Sequence, residues 1–207
     1  MCIRDRPETV VPAVIDGYPV YAIENLRSPI LTHVVVSEGI VEIGESAFQS
    51  NYTGNLLSVS LPQSVKKISD FAFAGQQYLQ EITFGGVEKI GRGAFSGCSK
   101  LTQITLPDTL TTIEWKAFEY SGLTSLTIPV NVSFIRDTSF IENCSSLTTL
   151  RVAEGNPYYE MEDGILYQTA SKSVFYTMPN IEGVITVRDG TERIGTVSYT
   201  HLRAHET

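Results

Sequence analysis

The chain has 207 residues, of which 42% are hydrophobic, and its 23 acidic residues outnumber its 15 lysines and arginines to give a formal net charge of −8. An acidic chain without a cluster of basic residues repels phosphate backbones, which argues against nucleic-acid binding. No apolar run is long enough to cross a bilayer, so no membrane span is expected.

The two ends of the chain have an unusual coding property. Residues 1–6 and 197–207 can be back-translated into DNA sequences that share a reverse-complementary run. Such an inverted repeat is typical of the transposon-end adapter of a sequencing library that has been read through into an open reading frame, although ordinary termini could match it by chance. We therefore expect both segments to be adapter sequence that contributes nothing to the fold. Residues 7–196 are expected to form one repeat domain, truncated at both ends.

An early turn signal follows the first of these segments. Asp16-Gly17 lies between the apolar pair Val14-Ile15 and Val20, and Asp-Gly favours a tight two-residue hairpin turn. The sequence therefore predicts a short β-hairpin near the start of the domain.

From about residue 31 onward, the chain repeats itself every 22 to 25 residues. Each copy begins with an L-x-x-L-x-L strand pattern, as in Leu101 to Leu106, which is often followed by proline. An apolar residue and then an isoleucine three positions later come next, as in Leu110 and Ile113. Five residues after the isoleucine stands a phenylalanine preceded by a small residue. These phenylalanines are Phe48, Phe73, Phe95, Phe118 and Phe140.

This repeat predicts the fold class. One copy cannot bury its apolar residues alone, but stacked copies place equivalent side chains on each other and form a continuous core. Ile113, Ala117 and Phe118 would share one face of a single helical turn. The prediction is a right-handed, curved leucine-rich-repeat solenoid that is mainly β, with one strand per repeat on the concave side and short helical turns on the convex side.

One region interrupts the repeat. Ile165-Leu166-Tyr167 and Val174-Phe175-Tyr176 are strand-like and are separated by a polar loop, which predicts a β-hairpin insertion near residues 158–179. Within this region, ahead of Ile165, Glu160, Glu162 and Asp163 form a small acidic cluster. A calcium site is one interpretation of the cluster, but the EF-hand spacing of ligands is absent.

The repeats resemble the BspA-like leucine-rich-repeat family of bacterial and protist surface proteins. The resemblance rests on the LP-x-x-[VL]-x-x-I-x-x-x-AF unit, on FSGCSKL at 95–101 and on NPYYEMEDGILY at 156–167. It implies a secreted or cell-surface protein, and in some members adhesion to host matrix proteins or to other cells. The chain lacks the asparagine that typical leucine-rich repeats place after the strand, so the asparagine ladder of those repeats is not expected.

A binding surface is predicted on the concave strand face. Its outward positions would be Val35, Ser60, Thr83, Thr105, Thr127 and Arg151. A second outward row would be His33, Ser58, Glu81, Gln103, Ser125 and Thr149. This hydroxyl-rich face suits a protein or glycan ligand, whereas the alternative interpretation is that threonine simply suits an exposed strand.

Two aromatic residues stand at repeat positions where other copies have polar residues or glycine. Trp115 aligns with Glu45, Asp70, Arg92 and Asp137, and Phe71 aligns with Ser46, Gly93, Lys116 and Thr138. Exposed aromatic residues can be contact hot spots. Alternatively, each ring covers a neighbouring turn.

The cysteines are predicted to be structural. Cys98 and Cys144 occupy the same repeat position two repeats apart, and stacked strands place them roughly 10 Å from each other. A disulfide needs Cα atoms within about 7 Å, so two buried free thiols are expected.

No catalytic, metal or cofactor site is predicted. P-loop, G-x-S-x-G and H-E-x-x-H motifs are absent, and His33 is the single histidine between the two end segments. We therefore expect a non-enzymatic binding module that functions in adhesion or protein–protein interaction. Its partner would be a protein or glycan, such as a host matrix component or another cell surface. Two alternatives remain: a structural spacer that presents another domain, and the recognition arm of an enzyme.

Overall fold

A computed structural model describes residues 8–15, 18–24, 26, 31–50, 54–179, 181 and 186–194. Over these residues the chain is a parallel β-solenoid of about seven turns with almost no helix. The end segments 1–6 and 197–207 lie outside the described residues, so their origin as adapter sequence stays a prediction. No helix among the described residues is long and apolar enough to span a membrane.

The first parallel sheet contains the predicted L-x-x-L-x-L strands. Three of them, β5 (His33–Val36), β7 (Ser58–Ser60) and β9 (Glu81–Thr83), pair in that order after β1 (Glu8–Val11), a strand that the repeat did not predict. Two more, β12 (Ser125–Ile128) and β14 (Thr149–Val152), pair with each other. Every second side chain of these strands points inward, because successive side chains of a strand alternate between its faces. The buried members include Val34, Val59, Ile82, Leu126 and Leu150.

The strand predicted at Leu101 to Leu106 is not formed. Residues 101–107 have no regular secondary structure, and Ile104 is only half-buried. Among the described residues, the backbone of 102–106 bonds to a neighbouring repeat only through the Thr102 carbonyl, which accepts the Thr124 N–H at 3.0 Å and the Thr124 hydroxyl at 3.2 Å. The first sheet is therefore interrupted between β9 and β12.

A second parallel sheet was not predicted from the sequence. Its six two-residue strands, one from each of six repeats, pair without interruption, and each strand ends on a buried isoleucine. They are β4 (Ala22–Ile23), β6 (Glu42–Ile43), β8 (Lys67–Ile68), β10 (Lys89–Ile90), β11 (Thr112–Ile113) and β13 (Phe134–Ile135). The assignment of Ile113 to a helical turn was therefore wrong. A strand of two residues is too short to produce an alternating pattern in the sequence.

The Ala-Phe segments are hydrogen-bonded turns whose amides alternate between two kinds of partner. The Ala94 N–H donates within its own turn to the Gly91 carbonyl at 3.3 Å, whereas the Phe95 N–H donates to the Ala117 carbonyl of the next repeat at 2.7 Å. Since every second amide leaves the turn, a continuous helix cannot form. Among the described residues, only Thr138–Ile141 is helical, and it is a 3-10 helix.

The core contains the predicted row of phenylalanines. Phe48 and Phe73 stack with ring centroids 5.1 Å apart, Phe73 and Phe95 at 5.3 Å, and Phe95 and Phe118 at 5.6 Å. The small residue before each ring allows the turns to approach closely, and Ala47, Ala72, Ala94 and Ala117 are fully buried. The repeat pattern thus identified the core of the solenoid correctly.

The predicted insertion is confirmed and is larger than expected. It has β15 (Tyr159–Glu162), β16 (Ile165–Gln168) and β17 (Ser173–Thr177) in an antiparallel arrangement, and β18 (Arg193–Ile194) parallel to β17. Asn156 attaches it to the solenoid, since its side chain donates to the Pro129 carbonyl at 2.7 Å and accepts from the Tyr159 N–H at 3.0 Å. The hydroxyl of the buried Tyr159 accepts the Ile135 N–H at 2.9 Å.

The early hairpin is also present as a strand pair. β2 (Val14–Ile15) pairs antiparallel with β3 (Tyr18–Pro19). The Asp16-Gly17 turn that would join them lies outside the described residues.

Both cysteines of the repeats are free thiols, as predicted. Cys98 is also buried as predicted, but the prediction was wrong about Cys144, which is only half-buried. Each Sγ donates to a phenylalanine carbonyl of the preceding repeat, at 3.3 Å for Cys98 to Phe73 and 3.0 Å for Cys144 to Phe118. Burial raises the pKa of Cys98 to about 12. A thiol that stays protonated at neutral pH is not a nucleophile, so the role of Cys98 is packing.

Candidate functional site

The outward side chains of the first sheet, together with Gln103 and Thr105 in the segment that interrupts it, are here called the first-sheet face. The register aligns Val35 with Ser60 and Ser60 with Thr83, and farther along it aligns Thr127 with Arg151. All six residues of the first predicted row are exposed: Val35, Ser60, Thr83, Thr105, Thr127 and Arg151. Of the second row, His33, Glu81, Gln103 and Ser125 are exposed, and Ser58 and Thr149 are half-buried.

The polar atoms of the first-sheet face are almost free of protein partners. His33 Nδ1 lies 2.9 Å from the Thr32 hydroxyl oxygen. In the part of the chain that the structure describes, the other side chains of the two rows form neither hydrogen bonds nor ion pairs. Their hydroxyl, amide and guanidinium groups are therefore available to solvent or to a partner.

The outward side chains of the second sheet are bonded to one another across repeats. Lys67 pairs with Glu42 at 2.8 Å, and Glu42 also accepts a hydrogen bond from the Ser69 hydroxyl. One repeat farther along, Lys89 pairs with Glu114 at 2.7 Å. The polar groups of this surface largely satisfy one another, which makes it a poorer candidate for ligand binding than the first-sheet face.

The two aromatic residues singled out in the sequence lie on the turn side of the solenoid. Trp115 is 39% exposed. Phe71 is half-buried, and a Cβ added to Gly93 would lie 2.7 Å from its ring. Phe71 thus covers the next turn, as the alternative interpretation stated, while Trp115 retains an accessible surface.

Two arginines that sequence reasoning did not select join these aromatic residues. The Arg92 guanidinium carbon lies 4.9 Å from the centroid of Phe71 and 5.9 Å from that of Trp115, and the Arg136 guanidinium carbon lies 5.2 Å from Trp115. Arg92 could have been found from the repeat alignment, because it occupies the position equivalent to Trp115. Arg136 is displaced from that position by one residue, so the alignment did not identify it.

The acidic cluster of the insertion is not assembled into a metal site. Glu160 forms an ion pair with Arg188, whose guanidinium carbon lies 4.2 Å from the centroid of Tyr167. No group of three or more histidine, cysteine, aspartate or glutamate side chains in the described part of the chain could hold a metal ion. The described residues likewise contain one histidine, His33, whose ring contacts a threonine rather than a nucleophile–base pair.

Comparison with known proteins places the chain among leucine-rich-repeat proteins. The family description "BspA type leucine rich repeat region" matches residues 24–148 and 85–203, with six copies. No curated protein matches the chain in sequence.

Solved structures of leucine-rich-repeat proteins resemble the chain over part of their length. A leucine-rich repeat protein from Bacteroides ovatus is 31% identical over 58% of this chain and 33% of its own, with a TM-score of 0.54. A leucine-rich cell surface protein from Faecalibacterium prausnitzii is 27% identical over 86% of this chain and 56% of its own, with a TM-score of 0.57. The pneumococcal vaccine antigen PcpA shares the fold with a TM-score of 0.71, at 22% identity over 84% of this chain and 47% of its own. The chain therefore spans between a third and just over half of these proteins.

Proposed function

The chain belongs to the BspA-type leucine-rich-repeat family, and we propose that it is a non-catalytic binding module of a secreted or cell-surface protein that functions in adhesion. The first-sheet face would bind a protein partner. The similarity to a protein described as a leucine-rich cell surface protein supports the proposed location.

The observation that carries this proposal is the difference in polar pairing between the two sheets. Exposed polar groups of the second sheet are engaged in cross-repeat ion pairs at 2.7 to 3.4 Å. Those of the first-sheet face have, apart from His33, no partner among the described residues. Groups that are unpaired within the chain can bond to a partner without first breaking an internal bond.

The composition of the first-sheet face suits a protein ligand. At one end Val10 and Val35 are 57% and 37% exposed, and they are neighbours in the register of β1 and β5. Hydroxyl groups occupy the middle, and Arg151 stands at the other end. An apolar contact combined with spaced hydrogen-bonding groups and one arginine is the usual composition of a protein–protein interface.

The experiment compares the same substitution on the two faces of one repeat. The full chain, the Thr105→Lys variant and the Thr111→Lys variant are tested against immobilised collagen, laminin and fibronectin and against whole epithelial cells by biolayer interferometry and flow cytometry. Both threonines are exposed, but only Thr105 belongs to the first-sheet face. We expect at least one of these surfaces to bind the unmodified chain, and we expect Thr105→Lys to weaken that binding by about tenfold or more.

The control variant decides whether the face is responsible. Thr111→Lys should bind as the unmodified chain does, because Thr111 precedes β11 of the second sheet. Equal losses in the two variants, or no binding of the unmodified chain to any of these surfaces, would contradict the proposal. Urea unfolding of all three proteins establishes that neither substitution acts through stability.

A further inference from the structure

Side chains from four successive repeats form an alternating row of aromatic and arginine residues on the turn side of the solenoid. In order along the solenoid, the aromatic–arginine row consists of Phe71, Arg92, Trp115 and Arg136. In each neighbouring pair, the guanidinium carbon is 4.9 to 5.9 Å from the ring centroid. These distances fall within the range of cation–π attraction.

One end of the row is fixed by the backbone. Phe71 has a left-handed conformation with φ of 57°, and its N–H donates to the Arg92 carbonyl at 2.8 Å. Its ring lies over Gly93, where a larger residue would collide with it. The half-buried Phe71 therefore serves as a rigid support for Arg92.

The other three residues are accessible, and both guanidinium groups lack a carboxylate partner. Trp115 is 39% exposed, and Arg92 and Arg136 are exposed. No ion pair within the described part of the chain involves either arginine, whereas Lys66, Lys67, Lys89 and Lys116 are all paired. Acidic residues outnumber basic ones in this chain, yet these two guanidinium groups beside an exposed tryptophan form no ion pair among the described residues.

Carboxylates of the same and adjacent repeats are bound to other groups. Asp70 accepts the backbone N–H of Arg92 at 2.9 Å, Asp137 accepts that of Ser139 at 2.9 Å, and Glu114 pairs with Lys89 at 2.7 Å. In the described part of the chain, the exposed guanidinium groups of Arg92 and Arg136 are therefore left without an ion pair.

From this arrangement we infer that the aromatic–arginine row binds an acidic polysaccharide that carries carboxylates on alternate sugars. The accessible part of the Trp115 ring, which is 39% exposed, can pack against the C–H groups of a pyranose ring. On either side, a planar guanidinium can donate two parallel hydrogen bonds to a carboxylate. Arg92 and Arg136 are two repeats apart, roughly 10 Å, so a sugar that lies across the exposed part of Trp115 has one guanidinium on each side of it.

The low number of cations disfavours a nucleic acid. Binding to a strand of nucleic acid requires several cations that follow its closely spaced phosphates. The row offers two, and the chain as a whole has a net charge of −8. A polymer with one charge on every second sugar matches two separated guanidinium groups and is repelled less by the rest of the chain.

This site lies on a different surface from the first-sheet face and does not depend on the function proposed for it. Arg92 and Trp115 belong to the turns that follow β10 and β11 of the second sheet. Variants of the two surfaces can therefore be tested separately.

Ligand binding can be followed by the fluorescence of Trp115, because it is the only tryptophan in the chain. Its fluorescence is followed while the full chain is titrated with hyaluronan oligosaccharides, with neutral dextran, with polyglutamate or with single-stranded oligothymidylate. We expect a saturable change with hyaluronan alone. Arg92→Gln and Arg136→Gln should each weaken that binding by about ten- to hundredfold, as expected for the loss of a charged hydrogen bond.

Matched variants separate binding from stability. Arg193→Gln makes the same substitution at an exposed arginine in β18, far from the row in sequence, and should bind hyaluronan unchanged. Trp115→Ala should abolish binding when measured by calorimetry, while Trp115→Tyr should retain it in part. Thr105→Lys, on the first-sheet face, should have no effect on this titration.

Several results would overturn the inference. They are the absence of a fluorescence change with hyaluronan, an equal response to dextran, and preferential binding of polyglutamate or of the oligothymidylate. A loss of binding in Arg193→Gln as large as in Arg92→Gln would overturn it as well.

Discussion

The two parallel sheets are built from the same repeats but differ in continuity and in the use of their polar groups. The second sheet runs through six strands without interruption, and its side chains pair across repeats, as Lys67 does with Glu42 and Lys89 with Glu114. The first sheet is interrupted at residues 101–107, and apart from His33 its outward polar groups have no partner in the part of the chain that the structure describes. One surface is thus stabilised internally, while the other leaves its hydrogen-bonding groups open to solvent.

Under the proposed function, this difference would separate stability from recognition within a single repeat. Most coils contribute a strand to both sheets, and a substitution at an exposed position of one face is expected to leave the other face nearly unchanged. The predictions below test whether the two sheets are independent in this way.

The largest expected effect comes from the phenylalanine row, because both sheets pack on the same core. Phe95 is fully buried between Phe73 and Phe118. Phe95→Ala should lower the free energy of unfolding by about 3–5 kcal/mol and destabilise both sheets together. Urea unfolding measures this, and Tyr120→Ala, at a residue that is 58% exposed, is the control. A loss below about 1 kcal/mol would mean that the two sheets do not pack on the phenylalanine row as a common core.

A smaller effect compares the two sheets directly within one repeat. Ile113 of the second sheet is fully buried, whereas Ile104 in the interrupted segment is half-buried. Ile113→Ala should therefore cost about 2–5 kcal/mol, and Ile104→Ala should cost clearly less, below about 2 kcal/mol. Equal losses in urea unfolding would show that the interruption does not weaken packing on that side.

Hydrogen exchange tests the interruption at the level of the backbone. Within the described ranges, the amides of residues 103–106 have no ladder partner, and they should exchange at least about tenfold faster than those of Leu126 and Ile128 in β12. Phe84 is larger than its equivalents Leu61 and Leu106 and packs edge-on against Phe95 at 5.9 Å. If its bulk holds the coils apart, Phe84→Leu should slow exchange at 103–106, and unchanged rates would exclude that cause.

The smallest effect concerns the ion pairs of the second sheet. Hydrogen bonds from Lys67 and Ser69 lower the pKa of the Glu42 carboxyl below its ordinary value of 4.5. A lowered folded-state pKa adds stability above the unfolded-state value, and that stability is lost as the pH falls below about 4.5. Glu42→Gln should therefore cost less than about 1 kcal/mol at pH 7. The difference from the unmodified chain should vanish at low pH, and a difference that persists there would contradict this account.

Much of the fold could be predicted because the repeat period determines which residues stack. The phenylalanines, the alanines before them and the isoleucines of the second sheet were all identified as core positions, and the insertion was located from Ile165–Tyr167 and Val174–Tyr176. Of the candidate binding residues, the outward row from Val35 to Arg151 is exposed as expected. Whether it binds a ligand stays a prediction.

The sequence by itself determined the solenoid, because equivalent residues recur at a nearly constant spacing and only stacking can bury them. Tertiary structure alone decided which backbone groups pair. This pairing depends on how far apart adjacent coils lie, which no single repeat encodes. It produced the second sheet, the alternating amides of the turns and the gap at residues 101–107. The contacts of Arg92 and Arg136 with Trp115 were decided in the same way, because they join different repeats and depend on the stagger between coils rather than on the period.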